Sequence, residues 1–442
     1  MGEVMDDPVV LLVGGSAAAF VLVLAAYICV RSMLGDRTAI WIGCFMGIFL
    51  LDSIFRVRHF SDKSVDLQII IKIASWCYIF LFALLRLPKY VGALTSAPGL
   101  FWTILLVWAF YTASYSPNPS YSAIAIFSVT AFFLYFLSLG AELDDVSVVL
   151  AVSSAIAAIA FISVIVYFAN PSLGRMSEWR GDDYIVGTRL SGIVGTPNAM
   201  GEIAALGLVL LALNWREIGR RLGLLIPFLI CLLCVSALIM SNSRTSMMSV
   251  AAILGINRMM RTRYLPWIVL LAIAALVGIL VLVPYSEQVM IALSRSGDAA
   301  EIETGTARTP IWDTAIKLAE TKFWFGWGYA SSVFVLPSYA AYMGEAPPHA
   351  HNIVLQLWLT TGMIGVAAFV IAFLAQVLHA VSRRDALSVS LLGFLIINGL
   401  MEPGAFAGIA NMSTVALALA VARGYRGHLP VQSTKPLRTA AA

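Results

Sequence analysis

Long apolar runs alternate with short polar loops along almost the whole chain, and this pattern predicts membrane-spanning helices. A helix needs about 20 apolar residues to cross the hydrocarbon core of a bilayer. Thirteen segments approach or reach that length, although 98–113, 244–257 and 386–401 are short enough that the count could be twelve. The predicted spans are 8–30, 39–55, 68–86, 98–113, 121–139, 147–168, 197–214, 221–241, 244–257, 264–284, 353–380, 386–401 and 408–423.

The composition supports the same interpretation. The chain is 60% hydrophobic and only 12% charged, whereas soluble domains average about 25% charged residues. Its mean hydropathy is +0.89. We therefore expect an all-α polytopic membrane protein with 12–13 transmembrane helices and a large external (periplasmic) loop that contains an amphipathic helix.

Basic loops recur at one predicted face of the bundle. Lysine and arginine near the ends of spans mark the cytoplasmic side, and six loops agree with one orientation. The acidic loop "ELDD" (142–145) on this face and the basic loop "RVRH" (56–59) on the other depart from the rule. The six agreeing loops are 31–37, 86–89, 215–221, 258–263, 382–385 and 423–428.

This orientation divides the chain into six regions and puts two sizeable loops on the external face. Loops of this length are usually functional or disordered. The regions are 1–170 (N-terminal transmembrane helices), 171–196 (external loop), 197–284 (core transmembrane helices), 285–352 (external catalytic loop), 353–424 (C-terminal transmembrane helices) and 425–442 (cytoplasmic tail).

The second external loop contains the predicted amphipathic helix. The stretch "TARTPIWDTAIKLAETKFWFGWGY" (306–329) puts Ile311, Ala315 and Ile316 on one face. Its tryptophans suit the boundary between membrane and water.

Several common chemistries leave no trace in the sequence. It has no phosphate-binding G-x-x-x-x-G-K-[ST] loop, no dinucleotide fingerprint and no H-E-x-x-H zinc motif. Cys231 and Cys234 lie in an apolar run, and we interpret them as buried hydrophobes. His349-x-His351 could be half of a metal site, but Glu345 is the only carboxylate close by in sequence. We therefore expect no metal, no cofactor and no nucleic-acid partner.

Three arginines lie beside Gly, Ser and Thr in the predicted external segments. Arg189 precedes a span in "GTRLSGIVGTPNAMG", Arg244 separates two spans in "SNSRTS", and Arg308 opens the loop helix in "GTARTP". A guanidinium grips phosphate oxygens in pairs, so a cluster of these arginines at one face would suit a lipid-linked diphosphate. Ordinary contacts with lipid headgroups are the alternative.

A histidine motif follows in "PPHAHNIVLQLWLTTGMIG" (347–365). On a continuous helix, His351, Gly362 and Gly365 would share a stripe, with Gly362 about 16 Å deeper than His351. We therefore expect His351 to carry chemistry as a general base and the glycines to allow a neighbouring helix to approach. Asn352 could orient the ring or bind a sugar hydroxyl. His349 is a loop residue with a possible binding or supporting role, and an interfacial or capping histidine is the alternative for the motif.

With these residues, the chain resembles the O-antigen ligase and polymerase superfamily. The family signature matches His351, Asn352, Gly362 and Gly365, and "SNSRTS" and "GTARTPIWDTAIKL" resemble its serine-arginine and loop segments. The resemblance covers about residues 187–380. It implies a metal-independent glycosyltransferase of the bacterial inner (cytoplasmic) membrane, with its active face periplasmic.

The resemblance also implies the substrates and the residue roles. The donor would be a glycan on undecaprenyl diphosphate, and the acceptor a lipid-linked sugar hydroxyl, on lipid A–core for a ligase or another repeat for a polymerase. His351 would be the catalytic base. Arg308, Arg244 and Arg189 would clamp the diphosphate, while Asn352 and His349 are candidate substrate-binding residues.

Two other classes remain open from the sequence. A transporter or flippase of lipid-linked oligosaccharides would need polar residues in broken helices near the bilayer midplane. Lys72, Asn214 and Asn398 are candidates, but they are scattered. A membrane assembly scaffold with an external docking loop is the third possibility.

Overall fold

The computed structural model describes residues 8–54, 66–180, 184–259, 308–343 and 346–425, and helices dominate it. The helices are α1 (Pro8–Met33), α2 (Arg37–Asp52), α3 (Leu67–Leu85), α4 (Leu87–Thr95), α5 (Ala97–Ala113), α6 (Pro119–Glu142), α7 (Asp145–Ala169), α8 (Pro171–Gly174), α9 (Pro197–Leu222), α10 (Leu225–Ser241), α11 (Arg244–Met259), α12 (Arg308–Thr321), α13 (Ser332–Val335), α14 (Ala340–Met343), α15 (Ile353–Ser382), α16 (Ala386–Gly399) and α17 (Met412–Tyr425). Short 3-10 turns cover Gly192–Val194, Leu336–Tyr339 and Gly404–Phe406.

The apolar runs predicted from the sequence correspond to helices throughout the described part of the chain. The predicted span 264–284 lies outside the described residues. Five described helices are long and apolar enough to cross a membrane, or six if α4 and α5 form one span bent by 94°. The fold is therefore an all-α polytopic membrane protein, as predicted, and the count of 12–13 spans stays a prediction. Much of the core surrounds α17, whose residues are almost all buried, as expected for a helix that is apolar on all sides.

The first of the two predicted external loops contains a hairpin that the sequence pattern did not reveal. Strands β1 (Arg175–Arg180) and β2 (Tyr184–Leu190) pair antiparallel, with Arg175 opposite Leu190. The register shifts between Glu178 and Trp179. Because β2 leads directly into the turn before α9, the hairpin fixes the position of Arg189 beside the start of that helix.

Ion pairs between loops explain why the acidic stretch 142–145 lies among basic loops. Glu142 pairs with Arg86 and Lys89, both at 2.7 Å. The next two acids of the stretch bind basic groups of other elements: Asp144 pairs with Arg221 (3.0 Å) and Asp145 with Arg423 (2.7 Å). We call the end of the bundle that carries these residues the ion-pair end. The described parts of the predicted basic loops 86–89, 215–221, 382–385 and 423–428 thus meet at this end, where the acids neutralise part of their charge; the other exception, 56–59, lies outside the described residues.

Helix α15 carries the histidine motif and is broken at Gly362, whereas the sequence predicted a continuous helix. Gly362 has φ +71 and ψ −178, a left-handed conformation that side chains rarely adopt. Segment 323–328, which belongs to the second predicted external loop, inserts at this break. A Cβ on Gly362 would lie 2.1 Å from the Trp324 carbonyl oxygen, so the motif glycine permits the close approach of a loop rather than of a helix. A Cβ on Gly365 would meet first the side chain of Thr361 on the same helix, and Trp108 on α5 would lie at the ordinary contact distance of 3.4 Å, so the predicted role of Gly365 in helix packing stays a prediction.

The inserted segment and α5 satisfy backbone groups that the break releases. Buried backbone groups without partners are costly, most of all in a membrane. The bonds are Trp327 N to Leu359 O (2.8 Å), Gly328 N to Thr360 O (2.8 Å), Met363 N to Phe323 O (2.9 Å), Ile364 N to Trp324 O (3.3 Å) and Trp108 Nε1 to Thr361 O (2.9 Å).

The predicted amphipathic helix of the external loop is α12, which is shorter than the predicted 306–329. It ends at Thr321, and the chain after it turns into the segment that inserts at Gly362. Ile311 and Ala315 are buried as expected, but Ile316 is 36% exposed. Leu318 takes its place on the buried face, since it lies one helical turn beyond Ala315.

Candidate functional site

His351 lies in the turn directly before α15, at the end of the bundle opposite the ion-pair end. Its φ of +49 is a left-handed conformation, which residues other than glycine rarely adopt. Asn352 caps α15, because its Oδ1 accepts hydrogen bonds from Val354 N (2.9 Å) and Leu355 N (3.1 Å). Its Nδ2 donates to Leu400 O at 3.1 Å. Asn352 thereby joins the start of α15 to the loop that follows α16.

Glu402 in that loop is the centre of the site. Its Oε2 lies 3.3 Å from Nδ1 of His351. Its Oε1 accepts hydrogen bonds from Arg308 Nη2 (2.8 Å) and from Asn198 Nδ2 (2.9 Å). One carboxylate thus joins the histidine to the loop-helix arginine and to the first turn of α9.

The electrostatics of this carboxylate favour its charged form. Burial raises the pKa of Glu402, but the hydrogen bond to His351 and the charges of His351 and Arg308 outweigh burial, so the pKa is held below its usual value. The carboxylate is therefore ionised at neutral pH and balances positive charge on Arg308 or on a protonated His351.

Arg189 is buried and joins the same network from the other side. Its side chain donates to Ser241 O (2.7 Å) and Asn242 O (3.2 Å), in the turn between α10 and α11. It also donates to Asn198 Oδ1 at 2.9 Å. Only 8% of Arg189 is exposed. Asn198 therefore bridges Arg189 and Glu402, and the network runs unbroken from the 241–242 turn to His351.

Arg244 begins α11, two residues after the turn that Arg189 holds. It is partly buried. The turn is compact because Asn242 adopts a left-handed conformation and Ser243 bonds to Ser246 (2.9 Å). Arg189 thereby fixes the backbone from which Arg244 projects.

His349 packs edge-on against His351, with ring centroids 4.2 Å apart and planes at 87°. Its Nδ1 is buried and has no hydrogen-bond partner among the described residues. Burial and the nearby His351 lower the pKa of His349 to about 4, so its imidazole is neutral at pH 7. Together, His349, His351 and Glu402 each offer one possible metal ligand, and these three atoms lie within 4.8 Å of one another.

The two residues that connect the site, Glu402 and Asn198, were not predicted from the sequence. Glu345 is the only carboxylate close to the histidines in sequence, but it lies outside the described residues, and among the described residues the carboxylate in contact with His351 is that of Glu402. A signal existed: Glu402 is the only charged residue between Asp385 and Arg423, and it lies in a Pro-Gly turn. Asn198 gave no such signal, because an asparagine after proline at a helix start is common capping chemistry.

The fold and this site define a class: an all-α polytopic membrane protein with a polar cluster of His, Glu and Arg at one end of its bundle. Residues 229–370 match the family model described as O-antigen ligase. Over these residues, the match confirms the resemblance to the O-antigen ligase/polymerase superfamily that was found in the sequence. It includes Arg244, Arg308 and His351 and ends before Glu402. No curated protein matches the chain significantly.

Proposed function

We propose that the protein is a glycosyltransferase that moves a glycan from undecaprenyl diphosphate to a sugar hydroxyl, without a metal, at the periplasmic face of the bacterial inner membrane. The acceptor is lipid A–core in a ligase or another lipid-linked repeat in a polymerase. The observation that carries the proposal is the carboxylate of Glu402, which contacts the family-motif histidine and a motif arginine at once.

In the proposed reaction, His351 acts as the general base. With its Nδ1–H donating to Glu402, the lone pair of His351 lies on Nε2, which accepts the proton of the acceptor hydroxyl. The acceptor oxygen attacks the anomeric carbon of the donor sugar. The bond from that carbon to the phosphate oxygen breaks, and its electron pair leaves with the lipid diphosphate. Glu402 stabilises the imidazolium formed in this step.

Arginines stabilise the departing diphosphate in this proposal. A guanidinium has five N–H donors, so the bond from Arg308 Nη2 to Glu402 occupies one of them and leaves others that can bind phosphate oxygens. Arg244 is the second clamp, projecting from the start of α11. Charge stabilisation of this kind is often the largest catalytic contribution, and it gives a reason why no metal is needed.

The remaining predicted site residues take supporting roles in this proposal. Arg189 uses its donors on the 241–242 turn and Asn198, so we assign it to positioning Arg244 and Glu402 rather than to gripping phosphate. Asn352 uses both ends of its amide in capping α15 and binding the 400–402 loop, so it positions His351 rather than binding a sugar hydroxyl. His349 supports the ring of His351 by edge-on packing.

The break in α15 is the feature that a transporter would share, because broken helices form substrate sites in many transporters. Here the backbone groups released at Gly362 bond to segment 323–328 and to Trp108. The polar candidates of the transporter hypothesis also have local partners: Lys72 donates to Leu51 O (3.1 Å), Asn214 to Leu210 O (2.8 Å) and Asn398 to Ser249 Oγ (3.0 Å). These contacts favour the transferase.

The test is product formation by the purified protein in detergent, where no membrane sidedness exists. Undecaprenyl-diphosphate glycan is supplied with lipid A–core in one reaction and alone in another, and the products are separated by gel electrophoresis. Glycosylated core indicates a ligase, and lengthened lipid-linked chains indicate a polymerase. Absence of both products, under conditions in which the protein moves the donor across vesicle membranes, contradicts the proposal and supports the transporter.

A further inference from the structure

The two histidines and Glu402 hold three potential metal ligands beside the proposed catalytic base. The distance between His351 Nδ1 and Glu402 Oε2 is 3.3 Å. Zinc binds nitrogen and oxygen at about 2.0–2.2 Å in tetrahedral sites, which corresponds to an edge of about 3.3–3.5 Å between ligands. The His351–Glu402 pair therefore already has the spacing of two zinc ligands.

His349 supplies the third ligand. One of its ring nitrogens lies within 4.8 Å of the other two ligand atoms. Its Nδ1 is buried and makes no hydrogen bond among the described residues. Buried polar atoms usually have a partner, so this nitrogen is poorly satisfied unless a ligand binds there. Two imidazoles and one carboxylate form the donor set of open zinc sites.

Hydrogen bonds fix the carboxylate of Glu402 through one oxygen and leave the other oxygen for a metal. Arg308 and Asn198 both bind Oε1, while Oε2 faces His351. Both oxygens thus stay in place when a cation replaces the proton between Oε2 and Nδ1. The guanidinium of Arg308 opposes the cation and weakens its binding relative to a closed structural site.

We propose that His349, His351 and Glu402 form an inhibitory site for zinc or a similar divalent transition metal. The ion takes the lone pair of His351 Nδ1, and the ring proton then resides on Nε2. Since the proposed base accepts the acceptor's proton at Nε2, a metal-bound His351 cannot perform that step. Inhibition thus rests on the proposed function, whereas metal binding does not.

Binding is tested on the full-length protein in detergent with no substrate present. Co²⁺ is added, the visible absorption of tetrahedral cobalt is recorded, and Zn²⁺ is used to displace it. His349→Phe keeps an aromatic ring against His351 and removes the third ligand. Mutating a residue that only orients a metal ligand typically lowers metal affinity by 10–100-fold. Because His349→Phe removes a ligand itself, we expect it to weaken binding by at least ~10-fold.

Arg308→Gln provides the opposite control. It removes the positive charge that opposes the metal, so we expect it to bind Co²⁺ and Zn²⁺ more tightly than the wild type. A variant that merely disturbs the fold would not gain affinity. Thermal unfolding of each variant checks that it is folded.

Inhibition is then measured as the ratio of transfer rates with and without Zn²⁺, within each protein. We expect Zn²⁺ to inhibit the wild type, EDTA to reverse the inhibition, and His349→Phe to need at least ~10-fold more Zn²⁺. Wild-type protein that binds no Co²⁺ or Zn²⁺ overturns the site and leaves the transferase standing. Binding without transfer activity overturns the transferase and the inhibition but leaves the site. Equal metal affinity in the wild type and His349→Phe overturns the assignment of ligands.

Discussion

At the scale of single residues, the site depends on a carboxylate far away in sequence from the residues it organises. His351 and Arg308 were predictable, because a histidine at the start of an apolar helix and an arginine beside Gly and Thr carry recognisable chemistry. Glu402 became identifiable as their partner only when α16 and the loop after it were folded back onto the start of α15. Periodicity along one chain gives no information on that contact.

The charge of Glu402 is predicted to be essential for turnover. Glu402→Gln keeps the size of the side chain but loses the charge that stabilises a protonated His351. An amide can also present N–H to Nδ1, which favours the wrong tautomer of the histidine. Because general base catalysis contributes about 10²–10⁴-fold, we expect kcat to fall by about 10²-fold or more, with a smaller change in KM.

Glu202→Gln is the matched control for this prediction. Glu202 is a partly buried glutamate on α9 that accepts a hydrogen bond from Ser413, and a glutamine can keep that bond. We expect Glu202→Gln to retain transfer within a few-fold of the wild type. Equal losses in the two variants would show that partly buried glutamates at this end of the bundle act through stability alone.

At the scale of elements, the break in α15 is the place where segment 323–328 binds to the helix backbone. The sequence predicted that Gly362 and Gly365 allow a neighbouring helix to approach one continuous helix, since nothing in an apolar run with two glycines marks a break. The deciding contact is made by the distant segment 323–328, which supplies backbone partners at Gly362. The same segment follows α12, so the helix bearing Arg308 and the helix preceded by His351 are tied together.

Gly362→Ala is predicted to destabilise the protein. The left-handed backbone alone costs about 1–3 kcal/mol for a residue with a side chain, and the new Cβ would lie 2.1 Å from Trp324 O. Thermal unfolding in detergent should show a clear fall in Tm. The control is Gly255→Ala in α11, where a Cβ meets nothing within 4 Å and alanine favours a helix. A Tm for Gly362→Ala equal to that of Gly255→Ala would contradict the proposed role of the break.

At the scale of the whole molecule, ion-paired residues lie at one end of the bundle, and the cluster of His351, Glu402 and Arg308 lies at the opposite end. The class of fold followed from hydropathy alone, because about 20 apolar residues are required to cross a bilayer. The hairpin at 175–190 did not, since it is short and lies in a polar loop. The acidic stretch 142–145 looked like an exception to the charge rule until the structure showed its carboxylates paired with Arg86, Arg221 and Arg423.

Arg423 is predicted to stabilise the ion-pair end. It binds Asp145 at 2.7 Å and Asp385 at 3.3 Å, and it is mostly buried. Arg423→Gln leaves Asp385 without its charge partner, so we expect a loss of about 1–3 kcal/mol in the free energy of unfolding. Arg220→Gln removes an exposed pair with Glu217 and should cost less than ~1 kcal/mol.

The loss of stability in Arg423→Gln is also predicted to depend on pH. Burial raises the pKa of Asp385, but the charge of Arg423 and hydrogen bonds from Ser388 and Arg423 lower that pKa by more than burial raises it. The folded-state pKa of Asp385 therefore lies below its ordinary value of 3.8. A depressed acid pKa stabilises the fold above the unfolded-state value and loses that effect as pH falls through the folded-state value. The Tm difference between wild type and Arg423→Gln should therefore be full at neutral pH and narrow below about pH 4. A difference that is unchanged at acid pH would contradict the ion pair.

In the proposed function, His351, oriented by Glu402, is the base of a metal-free glycan transfer. The most direct measurement is the single-turnover rate of transfer from undecaprenyl-diphosphate glycan to acceptor in EDTA, for the wild type and His351→Ala. We predict that the wild type keeps its full rate in EDTA and that His351→Ala, although folded, loses about 10²-fold or more. Wild-type turnover by His351→Ala, or loss of wild-type activity in EDTA, would contradict the account.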